Sequence, residues 1–211
     1  MPLPILAVVV SGSLAILSAE RGIAWLQVVS KPLTTALLLW VVGWPATRIA
    51  DWAYVGIVLS VVGDIALLRT SKVAFLVGLG AFLLAHLAYI VAFFGVAVWS
   101  PRLVVVALVM AVVTARLLQA IRAKTAEIRG PTVAYGIVIS AMVVAAWATV
   151  GGPLPGAWMA AAGAVLFYAS DASLALNQFG PKKIPHAAFL TLGLYWIGQL
   201  GIALSARGGG L

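Results

Sequence analysis

Cysteine is absent from the 211 residues, acidic side chains number five and histidines two. Without thiols the chain has no disulfide, no thiolate nucleophile and no cysteine-based zinc site. The scarcity of charge excludes an ordinary soluble domain: 9% of residues are charged and 64% hydrophobic, against roughly 25% and 45–50% in soluble proteins. A phosphate-binding G-x-x-x-x-G-K-[ST] loop, a G-x-S-x-G elbow and an H-E-x-x-H pair are all missing. Nucleotide-driven transport, serine hydrolysis and zincin chemistry therefore have no footing. The apolar runs are continuous rather than alternating, which excludes a transmembrane barrel.

What is present is hydrocarbon, with a mean hydropathy of +1.16. At about 20 residues per span, the expected fold is an all-α, polytopic membrane bundle: a single transmembrane domain over 1–211. Punctuation by charge, Gly and Pro predicts eight helices near 3–19, 31–46, 52–68, 73–96, 101–121, 131–150, 156–177 and 187–206. Ser30-Lys31-Pro32 reads as a capped helix start with proline in the first turn. The first segment lacks a basic leader and reads as a retained helix rather than a cleaved signal. Gly208-Gly209-Gly210-Leu211 reads as a flexible tail.

The net charge of +8 comes from basic residues scattered through the loops, without the aromatic-interleaved patch of a nucleic-acid binder. Nine of them (Arg21, Lys31, Arg69, Lys72, Arg122, Lys124, Arg129, Lys182, Lys183) follow odd-numbered helices, and three (Arg48, Arg102, Arg207) lie at the other side. The positive-inside rule makes the nine-residue side cytoplasmic and places both termini on the non-cytoplasmic side of the cell membrane.

Against this apolar background Asp64 and Asp171 stand out, because an ionisable residue inside a span is costly and marks a functional site by default. Asp64 lies five residues before Arg69, and Asp171 six before Asn177, on helices that run the same way. A rise of 1.5 Å per residue puts both about 7 to 9 Å below the cytoplasmic ends, so a shared site is expected. Two carboxylates in one low-dielectric site leave a protonated acid beside an ionised carboxylate, the equipment for general acid/base work. Read structurally instead, each is polar glue between helices, or half of an ion pair with Lys31.

Other polar residues gather on the same helices. Ser60 lies one turn before Asp64, with Gly63 beside it for close approach; Tyr168 and Ser170 flank Asp171. Lys31, at the mouth of helix two, could hold a phosphate, pair with an aspartate or snorkel to the interface. His86 and Tyr89 lie one turn apart, with His86 roughly 20 Å along its helix, deeper than the aspartates. It is a third acid/base group or a hydrogen-bond donor to Gln199. Tyr135, Asn177 and Tyr195 line a polar cavity or belong to the interfacial belt. Asp51 with Arg48 and Glu20 with Arg21 read as solvated loop charges.

In this order the motifs resemble the YhhN-type lysoplasmalogenase family of eight-helix membrane proteins. The resemblance covers most of the chain. It rests on Lys31-Pro32, Ser60-x-x-Gly63-Asp64, Gly78 with Phe82, His86-x-x-Tyr89, Pro131 with Tyr135 and Met142, Phe167-x-x-Ser170-Asp171, and Tyr195 with Gln199. It implies hydrolysis of the vinyl ether bond of a lysophospholipid-type substrate drawn from membrane lipid, without a cofactor or metal. Asp64 and Asp171 would be catalytic, and Lys31, Ser60, His86, Tyr89, Tyr168, Ser170, Tyr195 and Gln199 would contact substrate. The rival reading is a proton-coupled transporter or lipid-binding membrane protein that uses the same aspartates as a relay. Metal-dependent hydrolysis by Asp64, Asp171 and His86 is a third, poorly supplied with ligands.

Overall fold

A backbone in lipid must satisfy its own polar groups, so apolar runs of this length have the helix as their solution. In the computed structural model, which describes residues 2–44, 46–122 and 126–207, every span takes it. The helices are α1 (Leu3–Arg21), α2 (Ala24–Val42), α3 (Arg48–Ala66), α4 (Lys72–Phe94), α5 (Arg102–Ile121), α6 (Arg129–Ala148), α7 (Ala157–Phe179) and α8 (Ala187–Ala206). A 3₁₀ turn, Ala126–Ile128, precedes α6, and the described residues contain no strand. All eight helices are long and apolar enough to cross a membrane. Lys124 and the tail Gly208–Leu211 lie outside the described residues.

Seven boundaries fall close to those expected; α2 does not. It begins at Ala24, and Pro32 sits inside it. The proline was read as a first-turn residue, but transmembrane helices tolerate an internal proline that soluble ones do not. Ser30 is no cap: its hydroxyl turns back onto the Leu26 carbonyl at 2.6 Å. True caps stand at Thr47, which accepts from the Ala50 amide, and at Ser71, which accepts from the Ala74 amide.

Helix α8 packs against α1, α2, α3 and α7, and α3 lies between α2 and α4; α6 joins α4, α5 and α7. The α7–α8 seam is the tightest. A β-carbon added at Gly198 would stand 2.8 Å from both the Gly163 carbonyl oxygen and the Phe167 amide nitrogen, so only glycine lets these backbones meet. Gly198→Val is expected to destabilise the protein by about 1 to 3 kcal/mol through overpacking, read as a lower unfolding temperature in detergent. Gly63 plays a related part, and what approaches it is a side chain of the protein: a β-carbon there would lie 2.6 Å from a ring carbon of Phe82.

Candidate functional site

The helix ends Ala19, Arg69, Ile121, Phe179 and Ala187 ring the mouth of a cavity of about 530 Å³ that runs inward to Asp64, Asp171, Tyr168 and Tyr195. This volume lies in the range of small-molecule sites. No residue of the loops at the opposite end of the bundle lines it. The open end is the one that carries Arg21, Arg69, Lys72, Arg122, Arg129, Lys182 and Lys183.

Asp64 is 1% exposed and held by three donors from two other helices. Lys31 Nζ lies 3.5 Å from Oδ1, while the Thr35 hydroxyl donates to Oδ2 at 2.5 Å and the Tyr195 hydroxyl to the same oxygen at 3.1 Å. Each hydroxyl has one proton to give, and the carboxylate receives both. Trp196 Nε1 donates to the Thr35 oxygen at 3.2 Å and fixes it. Behind Tyr195 the chain of polar groups continues: Gln199 donates to Ser60 at 2.9 Å and accepts from Tyr89 at 2.6 Å, and Ser60 donates to the Gly56 carbonyl. Every member of this buried network has a partner, as a low-dielectric interior demands.

Asp171 has a separate set of partners. The Tyr135 hydroxyl donates to its Oδ2, and His86 Nε2 stands 2.9 Å from that hydroxyl oxygen and 3.4 Å from Oδ2. His86 Nδ1 meets no polar atom among the described residues. A buried N–H without an acceptor is the costlier orphan, which puts the imidazole proton on Nε2. The hydrogen bonds then run in one direction, His86 to Tyr135 to Asp171. The carboxylate is 17% exposed and opens on the cavity.

The two networks meet at Phe167, whose ring centroid lies 4.8 Å from that of His86 and 5.1 Å from that of Tyr195. Among the described residues no hydrogen bond joins the two carboxylates. Nor do helix ends set their common level: α3 stops two residues after Asp64, whereas α7 runs eight beyond Asp171. The cavity is what brings them together.

Of the expected substrate contacts, Lys31, Tyr168, Ser170 and Tyr195 line the cavity; Ser60, His86, Tyr89 and Gln199 do not, and stand behind it. Tyr168 spends its hydroxyl on Thr114 of α5 at 2.8 Å, and Ser170 donates to the Thr191 carbonyl of α8. Lys31 pairs with Asp64 at 3.5 Å, as one of its three readings had it. Tyr135, Asn177 and Tyr195 all line the cavity. His86 does not reach Gln199; its partner is Tyr135. Its depth by rise comes closer to that of Asp171 once α7 is seen to run eight residues beyond that aspartate. Glu20 is exposed, as expected, but its partners lie on another element: it accepts from the Phe189 amide in the first turn of α8 and lies 3.1 Å from His186 Nδ1. Thr35 and Trp196 were missed. Thr35 lies four residues after Lys31, on the same face of α2, a spacing already legible within the expected helix.

Among the described residues no three His, Asp or Glu side chains converge as metal ligands. The fold and the cavity thus define a multi-pass integral membrane protein with an acidic pocket reached from one end of its helical bundle. The model of the YhhN family matches residues 26–206, and the chain belongs to that family. The chain is also similar to human Lysoplasmalogenase TMEM86B, with 30% identity over 190 residues that cover 89% of this chain and 78% of the relative. No solved structure matches it.

Proposed function

We propose that this protein is a lysoplasmalogenase-like hydrolase that cleaves the vinyl ether bond of a lysophospholipid and releases a fatty aldehyde and a glycerophospho-alcohol. The observation that carries the reading is that Asp64 and Asp171, from different helices, open on one cavity with different partners. Similarity to a protein named for this activity supports it. The cavity reaches one end of the bundle and has no lining residue from the other, which favours an enzyme over a through-pathway transporter. By the positive-inside rule the seven basic residues at the open end make it the cytoplasmic side, with both termini non-cytoplasmic, and the whole chain acts as one transmembrane domain.

A vinyl ether is hydrolysed by proton transfer to its outer alkene carbon. The resulting oxocarbenium ion is captured by water as a hemiacetal, the surplus proton passes to a carboxylate, and the carbon–oxygen bond to glycerol then breaks. Asp171, 17% exposed against 1% for Asp64 and held by Tyr135 at Oδ2, is the carboxyl placed to deliver the proton. Asp64, facing the Lys31 cation and two hydroxyl donors, is the anion that stabilises the oxocarbenium ion and orients water, as paired carboxylates do in glycosidases. Ser60, Tyr89 and Gln199 brace Tyr195, and Tyr168 and Ser170 shape the pocket wall.

The test is purified protein in detergent, incubated with a 1-alkenyl lysophospholipid and assayed for aldehyde, with and without a chelator. Aldehyde release that survives chelation is expected. No release, or release abolished by chelation, would overturn the reading.

A further inference from the structure

Two cations line the cavity, Lys31 and Arg69. Lys31 lies eight positions into α2, is 12% exposed, and is committed to Asp64. It is not placed to receive a second anion without releasing the first. Cations nearby on the same end are also engaged: Lys72 with Glu127 at 2.6 Å, and Lys183 with the Asn177 carbonyl at 2.6 Å. Arg69 differs. It is exposed and lines the cavity, and although its backbone amide donates to the Ala66 carbonyl at 3.2 Å, its guanidinium has no hydrogen bond or ion pair among the described residues. The neutral polar side chains of Gln27, Thr70 and Gln178 line the cavity with it, whereas its carboxylates, Asp64 and Asp171, lie within the spans. A planar guanidinium with no partner, at a rim free of carboxylates, is suited to a phosphate's paired oxygens.

Spacing gives an independent reason. Five residues separate Asp64 from Arg69, about 7 Å of rise, although the last three form a turn beyond the helix. In a lysophospholipid ether the phosphorus lies seven bonds from the outer alkene carbon. An extended chain advances about 3.3 to 3.6 Å per three bonds, so that span is roughly 8 Å. A phosphate at Arg69 therefore leaves the scissile group level with Asp64.

We propose that Arg69 is the phosphate-binding residue of the headgroup subsite, so that the ligand is a single-chain lipid bearing a phosphodiester rather than a neutral ether lipid. This inference rests on the functional reading above for the position of the scissile bond, but its test does not depend on turnover.

Equilibrium binding in detergent would be measured with three probes: a non-hydrolysable 1-O-alkyl-glycerophosphocholine, the matching 1-O-alkylglycerol, and glycerophosphocholine without a chain. Wild type is expected to bind the phosphate-bearing lipid at least about tenfold more tightly than the alkylglycerol. Arg69→Ala should abolish that difference, Arg69→Lys should keep part of it, and Lys182→Ala, outside the cavity, should keep all of it. Unchanged affinity of Arg69→Ala for the phosphate-bearing lipid would overturn the assignment. So would equal loss in Lys182→Ala, which would mean diffuse charge. Glycerophosphocholine that competes at the lipid's own dissociation constant would also overturn it, in favour of a soluble phosphate ligand. Phosphate-dependent binding without aldehyde release would leave this assignment standing while the hydrolase reading fell.

Discussion

Asp171→Asn is expected to lower kcat for aldehyde release about 10³-fold while leaving the affinity for a non-hydrolysable alkyl lysophospholipid within about threefold of wild type. Asparagine keeps the shape and still accepts the Tyr135 hydroxyl, but it has no acidic proton to deliver to carbon. Asp64→Asn should cost a comparable factor by another route, because the developing cation loses its facing anion. Tyr135→Phe should be milder, about 10- to 100-fold, the worth of one hydrogen bond to a charged group. Stopped assays of aldehyde at saturating and subsaturating substrate separate kcat from KM. Turnover by either Asn variant at the wild-type rate would remove that aspartate from the chemistry.

Lys31→Met is expected to destabilise the protein by about 3 to 5 kcal/mol, because it leaves the Asp64 charge buried and without its cation. The expectation is specific to the pair. In Lys31→Met with Asp64→Asn most of the loss should be recovered, since a neutral amide beside Thr35 and Tyr195 still finds hydrogen-bond partners. A thermal-unfolding double-mutant cycle in detergent measures this coupling. Equal destabilisation by the single and double variants would mean that the lysine stem, packed in α2, matters more than its charge.

The same contrast explains what the sequence disclosed. Eight helices were legible because lipid leaves an apolar run little alternative, and the two aspartates because charge inside a span is rare. Partners were harder to read. Tyr135 and Thr35 meet the carboxylates across helices 36 and 29 residues away in sequence, and an apolar chain has no periodicity strong enough to fix which faces turn inward. Pro32 misplaced the start of α2, which put Lys31 at the helix mouth rather than eight positions inside it. Glu20 illustrates the same limit at the surface: its true partner, the first turn of α8, lies at the far end of the chain.

Among the described residues, helix α5 buries just Met110, Thr114 and Ile121 and packs against α6 and α7 alone, yet Thr114, Leu117, Leu118 and Ile121 are part of the cavity lining. The partition between pocket and hydrocarbon is therefore one helix thick there, and that helix is the least anchored of the eight. Segments with few interior contacts open at the lowest free energy. On the functional reading proposed above, a long aliphatic tail would reach the pocket sideways from the leaflet, past this thin stave, without being wetted.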